Sequence, residues 1–396
     1  MATVSKFPNK GDNVENDNMD FSQKLHLHKL KNFVAVLVCV AVIVVVGTIL
    51  LVTYKNQQYS RLSVVKSVDR VSIETHSYIN NFGSIIVYSK DGISCINEKG
   101  TTLWNMTYEM QNPIVKRSSA YVGVGDYDGH IIQIVDNSGT VTEIDTTLPI
   151  RDFSVSKEGL IAAILEDTNN SWVNLYDVKG TKLGEIKATM SKTGYPLSVS
   201  ISGEVIAVSY LHVDSDIMKS GVTFYNFGGV GENVTDKIVS SYEYPNAVVP
   251  TVEFLSSDTL MAVADNRLMF YEGAKIPKST KDVLLNDNII GVYHGTNYVC
   301  LVCYDSTGEN KYRIDIYDTK GRKTGSYCYS MDFKDILVGN GVVLIYNEGQ
   351  CIVIDINGNE KYNNMFEDQV EFIATTNSDK KYLFVKPMSL DTVRFE

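Results

Sequence analysis

The stretch IVDNSGTVTEID, residues 134–145, reads as the end of one strand, a tight turn and the start of the next. Ile and Val suit a pleated, half-buried surface. Asp136 can accept hydrogen bonds from the turn amides, and Gly139 can supply the positive φ that the turn needs. The same pattern is an apolar residue, an apolar residue or Tyr, Asp or Asn, two variable residues and Gly. It recurs as CINEKG (95–100), LYDVKG (175–180), FYNFGG (224–229), IYDTKG (316–321) and VIDING (353–358). Successive glycines lie 39, 41, 49, 92 and 37 residues apart, and a degenerate copy, LMFYEG (268–273), sits near the middle of the longest gap. A period of about 43 residues belongs to propellers and solenoids.

Working outward, most copies are preceded by a further strand and turn, as in IIVYSKDG (85–92), YVGVGDYDG (121–129) and VVLIYNEG (342–349). One more short apolar run lies ahead of these, as in IRDFSVS (150–156), PLSVSIS (196–202) and TVEFLSS (251–257). Four strands per repeat make a propeller blade. Helical periodicity is absent, which argues against helical repeats. After Gly358 there are strands for an eighth unit, VEFIATT (370–376), KKYLFVKP (380–387) and DTVRFE (391–396), but that unit lacks its outermost strand. RLSVVK (61–66) can supply it and so close a ring without free edges. The expectation is an all-β chain, a β-propeller of eight four-stranded blades after one N-terminal transmembrane helix. Seven blades with longer loops is the alternative, and an open β-solenoid is the rival architecture.

The helix is read from FVAVLVCVAVIVVVGTILLVTY, residues 33–54, with no charge between Lys31 and Lys55. Such a helix rises about 33 Å, enough to cross the hydrocarbon core. No small-residue cleavage site follows, so the segment reads as an uncleaved signal anchor rather than a signal peptide. The domains expected are a disordered cytoplasmic tail (1–32), the span (33–54), a short tether (55–60) that holds the propeller close to the bilayer, and the propeller (61–396). Lys24, Lys29 and Lys31 on one side balance Lys55, Arg61 and Lys66 on the other, so flanking charge does not decide orientation. The shortness of the tail favours tail inside and propeller outside. The formal net charge is -11, and an acidic domain repels phosphate backbones, so no nucleic-acid partner is expected. The six cysteines have no disulfide-framework spacing, and Cys300-x-x-Cys303 lies within an apolar strand, where positions three apart face opposite sides.

The strand-x-Asp-x-x-Gly pattern followed by a short strand with Trp, as in GTTLW (100–104), resembles quinoprotein-type propeller repeats. The whole layout over residues 33–396 is similar to an uncharacterised family of membrane-anchored β-propeller proteins, a domain of unknown function, of clostridia-like Gram-positive bacteria. That resemblance implies a propeller on the outer face of the cytoplasmic membrane. Its motifs are structural rather than catalytic.

No chemistry-bearing constellation stands out. A quinone cofactor needs stacking tryptophans around a channel, and of Trp104 and Trp172 only the first occupies the repeat position. His130, His212 and His294 are each 82 residues apart, but their places within the repeat differ, so they are not expected to converge on a metal. Asp126–Gly129 and Asp305–Asn310 are oxygen-rich but lack a complete calcium loop. No G-x-S-x-G, H-E-x-x-H or phosphate loop occurs. No catalytic residue, cofactor or metal is therefore assigned. The fourth repeat carries insertions at Leu211–Gly221 and Gly228–Ser240, and insertions in a repeat fold often mark the binding face. Tyr210, His212, Asp214 and Asp216 are the candidate binding-loop residues. Two functions follow. The first is an extracytoplasmic binding or scaffolding module with the bilayer and a protein or envelope partner. The second is a propeller enzyme, a glycan hydrolase or lyase using channel carboxylates. Converging charged side chains in the channel favour the enzyme; a plugged channel with a tyrosine-rich mouth favours binding.

Overall fold

The recurrent turn joins the third and fourth strands of a four-stranded antiparallel sheet, and eight such sheets follow one another along the chain. The computed structural model describes residues 21–55, 58–70, 76–81, 83–168, 170–189, 193–214, 217–339, 341–378 and 380–396. Blades 1 to 7 span 77–107, 113–145, 150–188, 195–245, 251–284, 289–329 and 335–365, each with its strands in sequence order. Blade 8 takes Phe372–Thr375, Tyr382–Val385 and Ser389–Phe395 from the C-terminal end. Its outermost strand is Leu62–Asp69, paired antiparallel from Leu62 opposite Phe395 to Asp69 opposite Ser389.

Closure shows in the core as well as in the pairing. Each junction between neighbouring blades holds its own buried apolar cluster. Ile132, Ile134 and Ile144 of blade 2 meet Phe153 and Ile161 of blade 3. The opposite face of blade 2, with Val122, Val124 and Val135, meets Ile86, Cys95 and Trp104 of blade 1. The series runs round to Leu383, Val385 and Leu390 of blade 8 against Ile85 of blade 1. Every sheet is thus buried on both faces, which is why its central strands read as near-continuous apolar runs. Eight junctions in a closed circuit exclude both the seven-blade count and the open solenoid.

The turn works as its residues suggest. Asp177 Oδ1 accepts from the amides of Lys179 (2.9 Å) and Thr181 (2.8 Å). The pattern repeats at Asn97, Asp136, Asp318 and Asp355. At Gly180 φ is +81°, and its amide donates to the Asp177 carbonyl at 3.0 Å. After this turn the outer strand bulges by one residue in blades 1, 3, 6 and 7 but keeps its register in blade 2, and blades 4 and 5 share the bulge. The local twist a bulge adds suits the rim of a ring.

The first strands form the inner wall, where those of successive blades pack against one another. Their inner edges would leave amides unpaired. Hydroxyls from the preceding blade take several of them: the Ile201 amide donates to Ser154 Oγ (3.3 Å), Val252 to Ser198 Oγ (3.3 Å) and Phe254 to Ser200 Oγ (3.0 Å). Asn80 Oδ1 does the same for the Thr375 amide across the seam of the ring, at 3.2 Å.

Residues Met1–Gln57 form a separate unit from the propeller. Its helix runs Phe21–Lys55, and the window His28–Thr48, with mean hydropathy 2.6, is long and apolar enough to cross a membrane. The tail expected to be disordered lies, over its first 20 residues, outside the described residues. The ring begins before Arg61: the Tyr59 amide donates to the Lys361 carbonyl (2.7 Å), and its ring packs on Phe395 with centroids 5.8 Å apart. The end of the 55–60 tether is therefore already part of the propeller.

Asp177→Ala removes the acceptor of two backbone amides while leaving the core untouched. It should lower unfolding stability by about 1 kcal/mol, read as a fall in the denaturant midpoint with the fold retained by circular dichroism.

Candidate functional site

Charged side chains from distant parts of the chain meet at the ring axis. Lys116 and Arg117 end the first strand of blade 2, Pro113–Arg117. Asp152 lies on that of blade 3, Ile150–Val155, Glu253 on that of blade 5, Thr251–Phe254, and His294 ends that of blade 6, Ile289–His294. Lys116 Nζ and Asp152 Oδ1 form an ion pair at 2.8 Å. Arg117 acts electrostatically on both Glu253 and His294. Blades 2 and 6 are opposite one another in an eight-blade ring, so these charges can meet only across the axis.

Burial pushes the Glu253 carboxyl up to about 7; Lys116 opposes the rise, Asp152 adds to it and Arg117 opposes it. Burial also lowers the His294 imidazole, and the Arg117 charge lowers it further. Both groups are surrounded by protein, yet Glu253 keeps partial and His294 substantial solvent-accessible surface. A water-accessible channel has this character; a packed core does not. The arrangement can hold a small polar ligand between two cations and two carboxyl groups. It can also donate a proton from Glu253 near neutral pH.

The binding-loop candidates separate. The insertion at Leu211–Gly221 is not a loop: Val205–Asp214 and Ile217–Asn226 pair along their whole length, from Val205 opposite Asn226 to Asp214 opposite Ile217. The run VIAVSYLHV has no Gly or Pro to stop it, so the hairpin simply extends. Tyr210 does not line a loop. It is buried, 2% exposed, with its hydroxyl 2.9 Å from that of Tyr225. A phenol side chain packed between two blades, here 3 and 4, contributes most by filling the core and pairing its hydroxyl there. His212 is half-buried on the extended part of the hairpin, and burial, then the Lys219 charge, lowers its imidazole. Asp214 is the last residue of its strand, and Asp216 lies outside the described residues. The second insertion contains the short 3-10 turn Thr235–Lys237 and leads into Ile238–Pro245.

The other polar motifs are spoken for within the fold. Asp126 accepts from the Gln111 and Asn112 amides at 3.1 and 2.6 Å, and Asp305 from the Thr307 and Asn310 amides at 3.0 and 3.1 Å. Cys300 and Cys303 are buried free thiols, both pushed up by burial. His130 sits in a turn, apart from the strands that carry His212 and His294.

Sequence reasoning missed the channel cluster. The available signal was charge at positions where the first strand of a blade is otherwise apolar, as in PIVKR (113–117) and TVEF (251–254).

The raised Glu253 carboxyl carries a pH signature. The folded state binds this proton more tightly than the unfolded chain. The group's contribution to stability is therefore fully present below its ordinary value of 4.5 and is lost as pH rises through about 7. The thermal midpoint should fall over this interval in the native protein, and Glu253→Gln should flatten that fall in parallel melts.

Comparison with known proteins agrees on the fold. The structure of apo AztD from Citrobacter koseri superposes with a TM-score of 0.52 at 12% identity, covering 74% of this chain and 86% of that one. The crystal structure of BamB from Moraxella catarrhalis matches at 9% identity and a TM-score of 0.47, covering 85% of this chain and all (100%) of that one. No curated protein sequence matches significantly. A family profile does match, over residues 55–395, which is nearly the whole propeller. The chain belongs to that family, DUF5711, a family of unknown function.

Proposed function

We propose that the protein is a membrane-anchored, extracytoplasmic binding or scaffolding module for a protein or envelope partner. The observation that carries this reading is the extended hairpin of blade 4. In the other blades the second and third strands have 4 to 7 residues, whereas here Val205–Asp214 and Ile217–Asn226 run to 10 residues each. The hairpin exposes the cross-strand pair Val213 and Met218, at 59% and 52%. Exposed apolar side chains beside charged ones suit a partner contact. His212 and Asp214 are polar residues of its second strand, and Tyr210 supports it from the core. The helix containing residues 33–54 supplies the anchor to the bilayer, with the propeller on the outer side.

The test is affinity capture of the tagged full-length protein from its own membrane, with protease accessibility in intact cells. Deleting residues 213–219 should leave the propeller folded and abolish capture, and added protease should reach the propeller. Undiminished capture by the deletion variant would sink the hairpin's role.

The channel supports a second reading, a glycan hydrolase or lyase. Glu253, held protonated to near-neutral pH, would act as general acid beside the ion-paired Asp152. In that case the protein should release reducing ends from cell-wall glycan, and Glu253→Gln should remove nearly all of the release. No release by the native protein above buffer would end this reading.

A further inference from the structure

The junction between blades 8 and 1 holds a cavity of about 260 Å³. Its walls are apolar, with Val68, Val385 and Leu390 from blade 8 and Val87 and Ile96 from blade 1. One end is polar. There the Tyr78 hydroxyl donates to Glu371 Oε2 (2.8 Å) and accepts from Arg70 Nη2 (2.9 Å), and Arg70 pairs with Glu371 at 3.3 Å. His76 also lines the cavity, and its buried Nδ1 has no hydrogen-bond partner among the described residues.

We propose that this seam cavity binds a small, neutral, apolar molecule carrying one hydroxyl group, which bonds to His76 Nδ1. Size sets the first limit. A cavity of about 150 Å³ holds benzene, so this one takes a body of about ten heavy atoms by the same scale. Charge sets the second. Arg70 is already neutralised by Glu371, so no cation is left over to favour a carboxylate or phosphate. Packing supplies the reason for occupancy. An apolar void forfeits dispersion contacts along its walls, and a buried ring nitrogen without a partner is unfavourable. One phenol-like ligand recovers both. The seam is also where the two ends of the propeller chain meet, with Val68 on the strand from one end and Leu390 on the strand from the other. A ligand here therefore bridges the closing strands and stabilises the closed ring.

The experiment is fluorine NMR of 4-fluorophenol and fluorobenzene with the full-length protein in lipid nanodiscs, against empty discs. The native protein should broaden 4-fluorophenol saturably and prefer it to fluorobenzene by about tenfold, the worth of one hydrogen bond. Val87→Phe, which fills the cavity, should abolish both signals. His76→Leu should retain fluorobenzene and lose the preference. Absence of saturable broadening by the native protein overturns the proposal. So does undiminished binding by Val87→Phe with a native circular-dichroism spectrum. If Val87→Phe does not fold, His76→Leu decides, and a retained preference for the phenol overturns the assignment.

Discussion

The whole propeller depends on one antiparallel pairing, Leu62–Asp69 against Ser389–Phe395. Each blade buries apolar side chains on both faces, so it is stable only between two neighbours. A linear row would leave the outer faces of blades 1 and 8 in water. The ring removes both, but blade 8 has only three strands of its own from the C-terminal end. The strand from near the N-terminus completes it, and the closure is tied off by the Arg61–Glu396 ion pair at 2.9 Å and by the amides of Ser60 and Arg61 on the Glu396 carbonyl. Loop-closure entropy rises only slowly with chain length, so a contact between residues some 330 apart in sequence is affordable once seven sheets have formed.

Within that circle the Asp/Asn turns set the spacing. A carboxylate or amide oxygen held by two backbone amides, with a glycine at positive φ, leaves one low-energy path for the chain between third and fourth strands. Where the motif is weak, the path changes. In FYNFGG, Asn226 Oδ1 takes the Gly228 amide at 2.8 Å, but the chain then wanders through Thr235–Lys237 before its outer strand begins. In LMFYEG there is no Asp or Asn at the turn, and Gly273 adopts a different φ of +137°.

The axis is a consequence of the ring rather than of any local motif. Lys116, Arg117, Asp152, Glu253 and His294 are spread over about 180 residues. Only closure makes their strands face one another. The spacing of 82 residues that links His130, His212 and His294 had no such meaning. One repeat length does not return the chain to an equivalent position when turns and hairpins differ in length. Of those three, only His294 sits on a first strand. Tyr210 shows the opposite failure. It borders the insertion at Leu211–Gly221, which reads as a loop from the sequence, but it shares the face of Ile206 and Val208 that packs against blade 3.

Local chemistry was legible in the residues themselves: the Asp-x-x-Gly turns, the four strands per repeat, the spare strand at 61–66 and the uncharged apolar run at 33–54. Each rests on interactions within about 20 residues or on simple counting, so a linear reading suffices. The tertiary structure alone decided which side chains share the channel, that Tyr210 belongs to the core and that the seam between blades 8 and 1 is incompletely filled. Those depend on distances between segments far apart in the chain, and such distances exist only once the ring has closed.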